Sequence, residues 1–405
     1  MTLAPAPAPN SASPDAERGP PEGSWVQPLS TGILAGLVGF ASTFAIVLQA
    51  FTSVGATSAE AASGLLVICV MQGALSLLFS LGWRQPISIV WSTPGAALMI
   101  ATGVPSGGYP AAVGAVLAAA VLLVVAGLWS PFGRAVSAIP VSLAGAMLAG
   151  ILFGLCLAPV RALAEMPLYA APIIVAWALA WRFARTYAVP IALVMTGAIV
   201  MFVTKLPPGA LDHAAPRLVF TPPALSWRTI GSLGVPLFIV TMASQNVPGL
   251  TVLRANGYRP RIGPIFIGSG LGSMLTSVFG GLLMNLAAIT AALCAGPDAH
   301  ADPAKRYWST VVAGLVYIGL GLGAGIAAAL VAASPPLLIQ SVAGLALLGS
   351  FAGAMAGALA DERQRLPAAV TFLVSASGAS VFGIGAAFWG LVAGGLLLGL
   401  DALRR

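Results

Sequence analysis

From Leu29 to the last few residues, this chain is a succession of apolar stretches, each closed by a basic residue or a Pro/Gly-rich break. About 20 apolar residues cross a bilayer as a helix. Reading between the breaks gives fourteen segments: 29–53, 59–81, 86–102, 109–129, 136–159, 167–182, 187–204, 231–253, 262–279, 280–295, 308–333, 335–360, 366–379 and 382–401. Only 7% of the residues are charged, against about 25% in an ordinary soluble domain. The fold class to expect is an all-α polytopic membrane protein, with the lipid bilayer as its solvent.

The charges orient the segments. With the N-terminus in the cytoplasm and alternating spans, fourteen of the eighteen Lys and Arg residues fall inside. Only Arg161, Lys205, Arg217 and Arg228 fall outside. Such a bias follows the positive-inside rule. It places both termini in the cytoplasm, and it explains the net charge of +7 without a nucleic-acid partner. Residues 1–28, rich in Pro, Ala and Ser, read as a disordered tail. The first apolar segment reads as a retained helix rather than a signal peptide. Cys69, Cys156 and Cys294 lie in apolar runs with no CxxC spacing, so neither a disulfide framework, a metal site nor a cofactor is expected.

A proline-rich connection, 205–230, divides the segments into two blocks of seven. Seven is odd, so the two blocks must sit in the membrane with opposite orientations, as in transporters built from inverted repeats. The third segment of each block is interrupted. In the first, the β-branched run Ile87–Trp91 reads as a short strand, with Thr93 as N-cap of a half-helix and Pro94 in its first turn. In the second, Gly280 and Gly281 break regularity and Asn285 is positioned to cap the half-helix. Irregular backbone at membrane depth is tolerated where it lines a cavity. Two facing half-helix N-termini would favour a carboxylate. The stretch TMASQNVPG (241–249) places polar residues halfway along an uncharged run. Gln245 and Asn246 can offer amide donors and acceptors to that cavity.

At these residues the sequence resembles the benzoate transporter family, BenE. The resemblance is carried by TMASQNVPGLTVLRANGY (241–258), MNLAAITAALCAGPDAHADPAKRYW (284–308), WSTPGAAL (91–98) and FLVSASGASVFGIGAAFWGLVAG (372–394). It implies a fold similar to nucleobase and sulfate-type transporters: fourteen segments in two inverted repeats, a core domain (29–130 and 231–333) and a gate domain (131–204 and 334–403). It further implies a bacterial inner-membrane transporter of benzoate or a similar aromatic carboxylate, coupled to a proton. Folds of this kind often dimerise through the gate, so by analogy a homodimer is possible. Where the nucleobase branch has acids, this sequence aligns Gln245 and Met284, the latter next to Asn285. Neutral amides would spare a carboxylate the repulsion. The site to expect is Gln245, Asn246, Asn285 and Leu286, with Thr93 and Gly95 at the first half-helix.

The ring needs an apolar slot, for which Phe40 and Phe44 with Thr43 between them are candidates, and Trp91 another. None of the eleven acids lies clearly at a midplane. The proton therefore rides on the substrate, uses a border acid such as Glu60 or Asp361, or is weakly coupled. An enzyme is disfavoured, as no catalytic motif is present. A channel is disfavoured by the lack of filter-like rings. Another small organic anion or a nucleobase-like solute is the alternative cargo.

Overall fold

The computed structural model describes residues 25–129, 131, 140–184, 187–203, 217–381 and 384–403. The expected tail up to residue 24 and the connection over 205–216 lie outside the described residues. The chain is mostly helical, and six of the described helices are long and apolar enough to cross a membrane. The first block holds α1 (Val26–Ser53), α2 (Ser58–Trp83), β1 (Ile89–Trp91), α3 (Thr93–Thr102) and α4 (Gly108–Leu128). It continues with α5 (Val141–Cys156), α6 (Ala158–Glu165), α7 (Pro167–Phe183) and α8 (Ala188–Val203). The second holds α9 (Trp227–Ala255), α10 (Ile262–Ser277), β2 (Met284–Leu286), α11 (Ile289–Ala295), α12 (Tyr307–Gly321) and α13 (Ala324–Ala333). It ends with α14 (Pro336–Leu359), α15 (Arg365–Ala376), β3 (Ser380–Val381), β4 (Ile384–Gly385) and α16 (Ala386–Leu403). The segment expected over 308–333 is two helices; β3 falls at the expected break before the last segment, while β4 lies within the expected segment 382–401, whose helix starts at Ala386.

The helices pack as two groups. In one, α1 and α2 pack on α12, and α2 and α4 pack on α10. In the other, α5 packs on α14 and α15, and α15 on α16. The closest approaches use glycine. A Cβ on Gly64 would sit 2.3 Å from the carbonyl oxygen of Gly280, which itself has φ +87°. Only glycine fits both demands.

At the centre of the first group, β1 pairs antiparallel with β2, with Val90 opposite Asn285. The ladder is extended at both ends by Ser92 N–H to Leu283 O (2.9 Å) and Ala287 N–H to Ser88 O (2.8 Å). A two-stranded ribbon leaves its outer edges unpaired, which deep in a membrane protein is costly. Helix side chains satisfy them. Ser76 Oγ accepts from Ile89 N–H (2.8 Å) and donates to Ile89 O, Ser80 does the same at Ile87, and Gln72 Oε1 accepts from Trp91 N–H (2.8 Å). On the other edge, Ser273 Oγ of α10 accepts from Met284 N–H (2.8 Å) and Asn246 Oδ1 of α9 accepts from Leu286 N–H (2.8 Å). Each strand is thus held by one serine and one amide.

Two capping expectations need correction. Ser92, not Thr93, caps α3, its Oγ accepting from Gly95 N–H at 3.1 Å. Asn285 does not cap α11. It is a residue of β2, and α11 starts at Ile289 with no side-chain cap. The reason in each case is the ladder, which carries extended backbone one residue short of Thr93 in the first half and through Leu286 in the second.

Candidate functional site

A cleft of about 410 Å³ opens between the two helix groups. One wall is Pro94 in the first turn of α3, Ala288 just before α11, and Ala243, Ser244, Gln245, Val247 and Pro248 of α9. The facing wall is Val141, Ala144, Gly145 and Leu148 of α5 with Gly349, Ser350, Gly353, Ala354 and Gly357 of α14. None of these side chains is ionisable.

The shape of α9 explains how Gln245 reaches the cleft. The helix widens into a π-turn at Ile230–Gly234 and again at Met242–Asn246. Each π-turn is followed by Val-Pro, ending at Pro236 and Pro248. Proline has no N–H and its ring clashes with the carbonyl four residues earlier, so the backbone swells there. The second swelling turns Gln245 into the cleft, half-buried, with no hydrogen bond to the described protein. Its neighbour Asn246 turns the other way, buried, with Nδ2 3.3 Å from Met242 Sδ and Oδ1 on Leu286 N–H.

Of the expected residues, only Gln245 lines the cleft. Asn285 is fully buried in β2, donating from Nδ2 to Leu286 O (3.0 Å) while its Oδ1 has no partner. Leu286 is fully buried beside it. Thr93 and Gly95 flank Pro94, but Gly95 is packed hard, with Leu237 Cδ1 2.4 Å from where a Cβ would stand. Phe40 and Phe44 stack on each other (5.1 Å between centroids), and Phe40 meets Trp91 at 5.9 Å. Trp91 Nε1 donates to Thr43 Oγ1 (3.0 Å), and its ring lies 6.0 Å from that of Tyr317. These aromatics form a packed cluster, and none of them borders the cleft.

The α5–α14 wall was missed by sequence reading. Its signal is present as Gly349, Gly353 and Gly357, four residues apart on one face of α14. Such stripes ordinarily seat another helix. Here a Cβ at Gly349 or Gly353 would meet nothing within 4 Å, because the stripe borders open space.

The first turn of α3 offers fewer donors than expected, since Pro94 has no N–H and Gly95 N–H is taken by Ser92. The border acids are also committed. Glu60 accepts from Thr57 N–H (2.8 Å), Thr57 Oγ1 and Thr221 Oγ1, and Asp361 accepts from Arg363 N–H (3.0 Å). Past α11, the buried Arg306 donates to the carbonyls of Ala295 (2.9 Å) and His300 (2.7 Å), tying down the helix end. A second cavity, about 270 Å³, lies on the same seam, bordered by Leu98, Thr102, Ile151, Thr229 and Ser232. Leu148 borders the first cavity and Ile151 the second, so about one turn of α5 separates them.

The family of benzoate membrane transport proteins, BenE, matches residues 24–400. The chain belongs to this family. It is therefore a membrane transporter, and the family is not one of enzymes. The BenE chain is 38% identical over 375 residues to the inner membrane protein YdcO of Escherichia coli K12, covering 91% of this chain and 94% of that one. It is 32% identical over 363 residues to the benzoate membrane transport protein of Acinetobacter baylyi, covering 90% and 92%. In fold it is similar to the transmembrane domain of the cyanobacterial bicarbonate transporter BicA, with a TM-score of 0.59 at 15% identity, over 92% of this chain and 99% of that one. It is also similar to the murine anion transporter Slc26a9 in its inward-facing state, with a TM-score of 0.57 at 14% identity, over 96% and 69%.

Proposed function

We propose that this BenE chain is a secondary active transporter that carries benzoate, or a similar aromatic carboxylate, across the bacterial inner membrane. The observation that carries the reading is the cleft between the helix groups. Its walls are mostly apolar, and it holds one amide, that of Gln245, with no hydrogen-bond partner among the described residues. A small pocket with apolar walls and a few convergent polar groups suits a ligand with one polar end. An aromatic carboxylate is such a molecule. The relatives named for benzoate and for the inner membrane support the cargo and the location.

The reading extends to the architecture. Fourteen segments form two inverted repeats, 29–204 and 231–405, with the core from 29–130 and 231–333 and the gate from 131–204 and 334–403. The matched edges of β1 and β2 support the repeat, since each strand is held by one serine and one amide from helices of its own block. The cleft lies between core and gate, and relative movement of the two would expose it to either side. Val141 and Gly357 line it near the ends of α5 and α14. With the N-terminus inside, those helix ends face the cytoplasm.

The test is uptake of labelled benzoate by proteoliposomes, corrected for passive leak. Saturable uptake that the Gln245→Ala variant loses is the expected result. Uptake no greater than leak, from protein that is folded by thermal unfolding, would overturn the cargo.

A further inference from the structure

We infer that the cleft takes its cargo as the uncharged carboxylic acid, with Gln245 as the residue that reads the proton. The inference rests on the proposed cargo and concerns the ionisation state in which the site holds it. A primary carboxamide presents one N–H donor and one carbonyl acceptor side by side. A protonated carboxyl group presents the complementary pair, a carbonyl acceptor and an O–H donor. The two close a ring with two hydrogen bonds. An ionised carboxylate accepts only, so it can use the amide N–H donors but leaves the Gln245 oxygen without a donor.

The surroundings favour the same species. No residue bordering the cleft is ionisable, and most are Ala, Gly, Val, Leu or Pro. Burying a charge in such a place without an opposite charge is unfavourable, and a group that can neutralise does so. Ser244 Oγ already donates to Val240 O, so it is spent as a donor. The ionisable groups on the elements around the cleft are Cys156 at the end of α5, Arg228 and Arg254 at the two ends of α9, and Cys294 on α11, and none of these borders it. Beyond α14 come Asp361, Glu362, Arg363 and Arg365, all outside the lining. Among the described residues, the opposing influence is the partial charge of the helix starts, about half an elementary charge at most. At α3 it is reduced further by the Ser92 cap and Pro94.

The proton then travels on a carboxyl oxygen of the cargo. It is taken up with the cargo on one side and released with it on the other, so each cycle moves one proton and no net charge.

The experiment is calorimetric binding to the purified full-length protein between pH 5 and 8, with three probes. Benzoate should weaken about tenfold for each pH unit above its carboxyl pKa. Benzamide, uncharged throughout, should bind with no pH dependence and compete with benzoate. Benzenesulfonate, an anion throughout, should not bind, and Gln245→Leu should lose benzoate and benzamide together. Benzoate binding that is flat with pH, together with benzenesulfonate competition, would overturn this inference and leave the proposed cargo standing. Failure of both benzoate and benzamide to bind at any pH would sink the cargo and the inference together.

Discussion

Gln245 and Asn246 are neighbours of the same chemical kind, and their environments assign them different work. Asn246 Oδ1 is the acceptor for Leu286 N–H, and both residues are buried. Asn246→Ala leaves that N–H unpaired, so a stability loss of about 1–3 kcal/mol is expected, read as a lower midpoint of thermal unfolding. Gln245 makes no hydrogen bond among the described residues. Gln245→Ala should leave the unfolding midpoint within about 0.5 kcal/mol of the parent and remove saturable benzoate uptake. Equal destabilisation by both changes would contradict the division. Glycines divide in the same way. A methyl at Gly64 meets the Gly280 carbonyl, so Gly64→Ala should cost about 1–3 kcal/mol in unfolding experiments despite its better helix propensity. A side chain at Gly353 enters the cleft, so Gly353→Val should fold normally and block uptake.

At the scale of elements, the short strands depend on their helices. Three strand residues make too small a ribbon to persist alone. Ser76 donates to and accepts from Ile89 at one edge of the ribbon. Ser76→Ala removes both partners, and a loss of about 1–3 kcal/mol in unfolding free energy is the expected outcome. A neutral Ser76→Ala would mean that the strand edge finds another partner. The β-branched run Ile87–Trp91 made the first strand legible in the sequence. The second was not, because Met284–Leu286 has no strand signature and is extended only through pairing with β1. The same pairing moved Asn285 from a cap into a strand.

At the scale of the whole molecule, the cleft runs between two helix groups. Cys69 and Cys294 are buried, so removal of the half-buried Cys156 gives a background quiet to thiol reagents. Ser350→Cys in that background should react with a membrane-impermeant maleimide from one face of the membrane only, and saturating benzoate should slow the labelling several-fold. Equal labelling from both faces would place Ser350 on a surface open to both sides, contrary to the proposed alternating access. The second cavity lies about one helical turn away along α5.

The sequence by itself determined the apolar segments, the interrupted third segment of each block and the polar patch at 241–249. Hydropathy, proline and glycine act over a few residues, so they can be read from a few residues. Which polar groups are free depends on how distant parts of the chain come together. Whether a buried amide is a ligand or a strut depends on the backbone group standing opposite, and for Asn246 that group is Leu286 N–H, 40 positions along the chain. The glycine stripe on α14 is legible as a pattern, yet its meaning as a cavity wall rather than a packing seam depends on the helix that does not approach it. Satisfaction of buried hydrogen bonds and the filling of space are properties of neighbours brought together by folding.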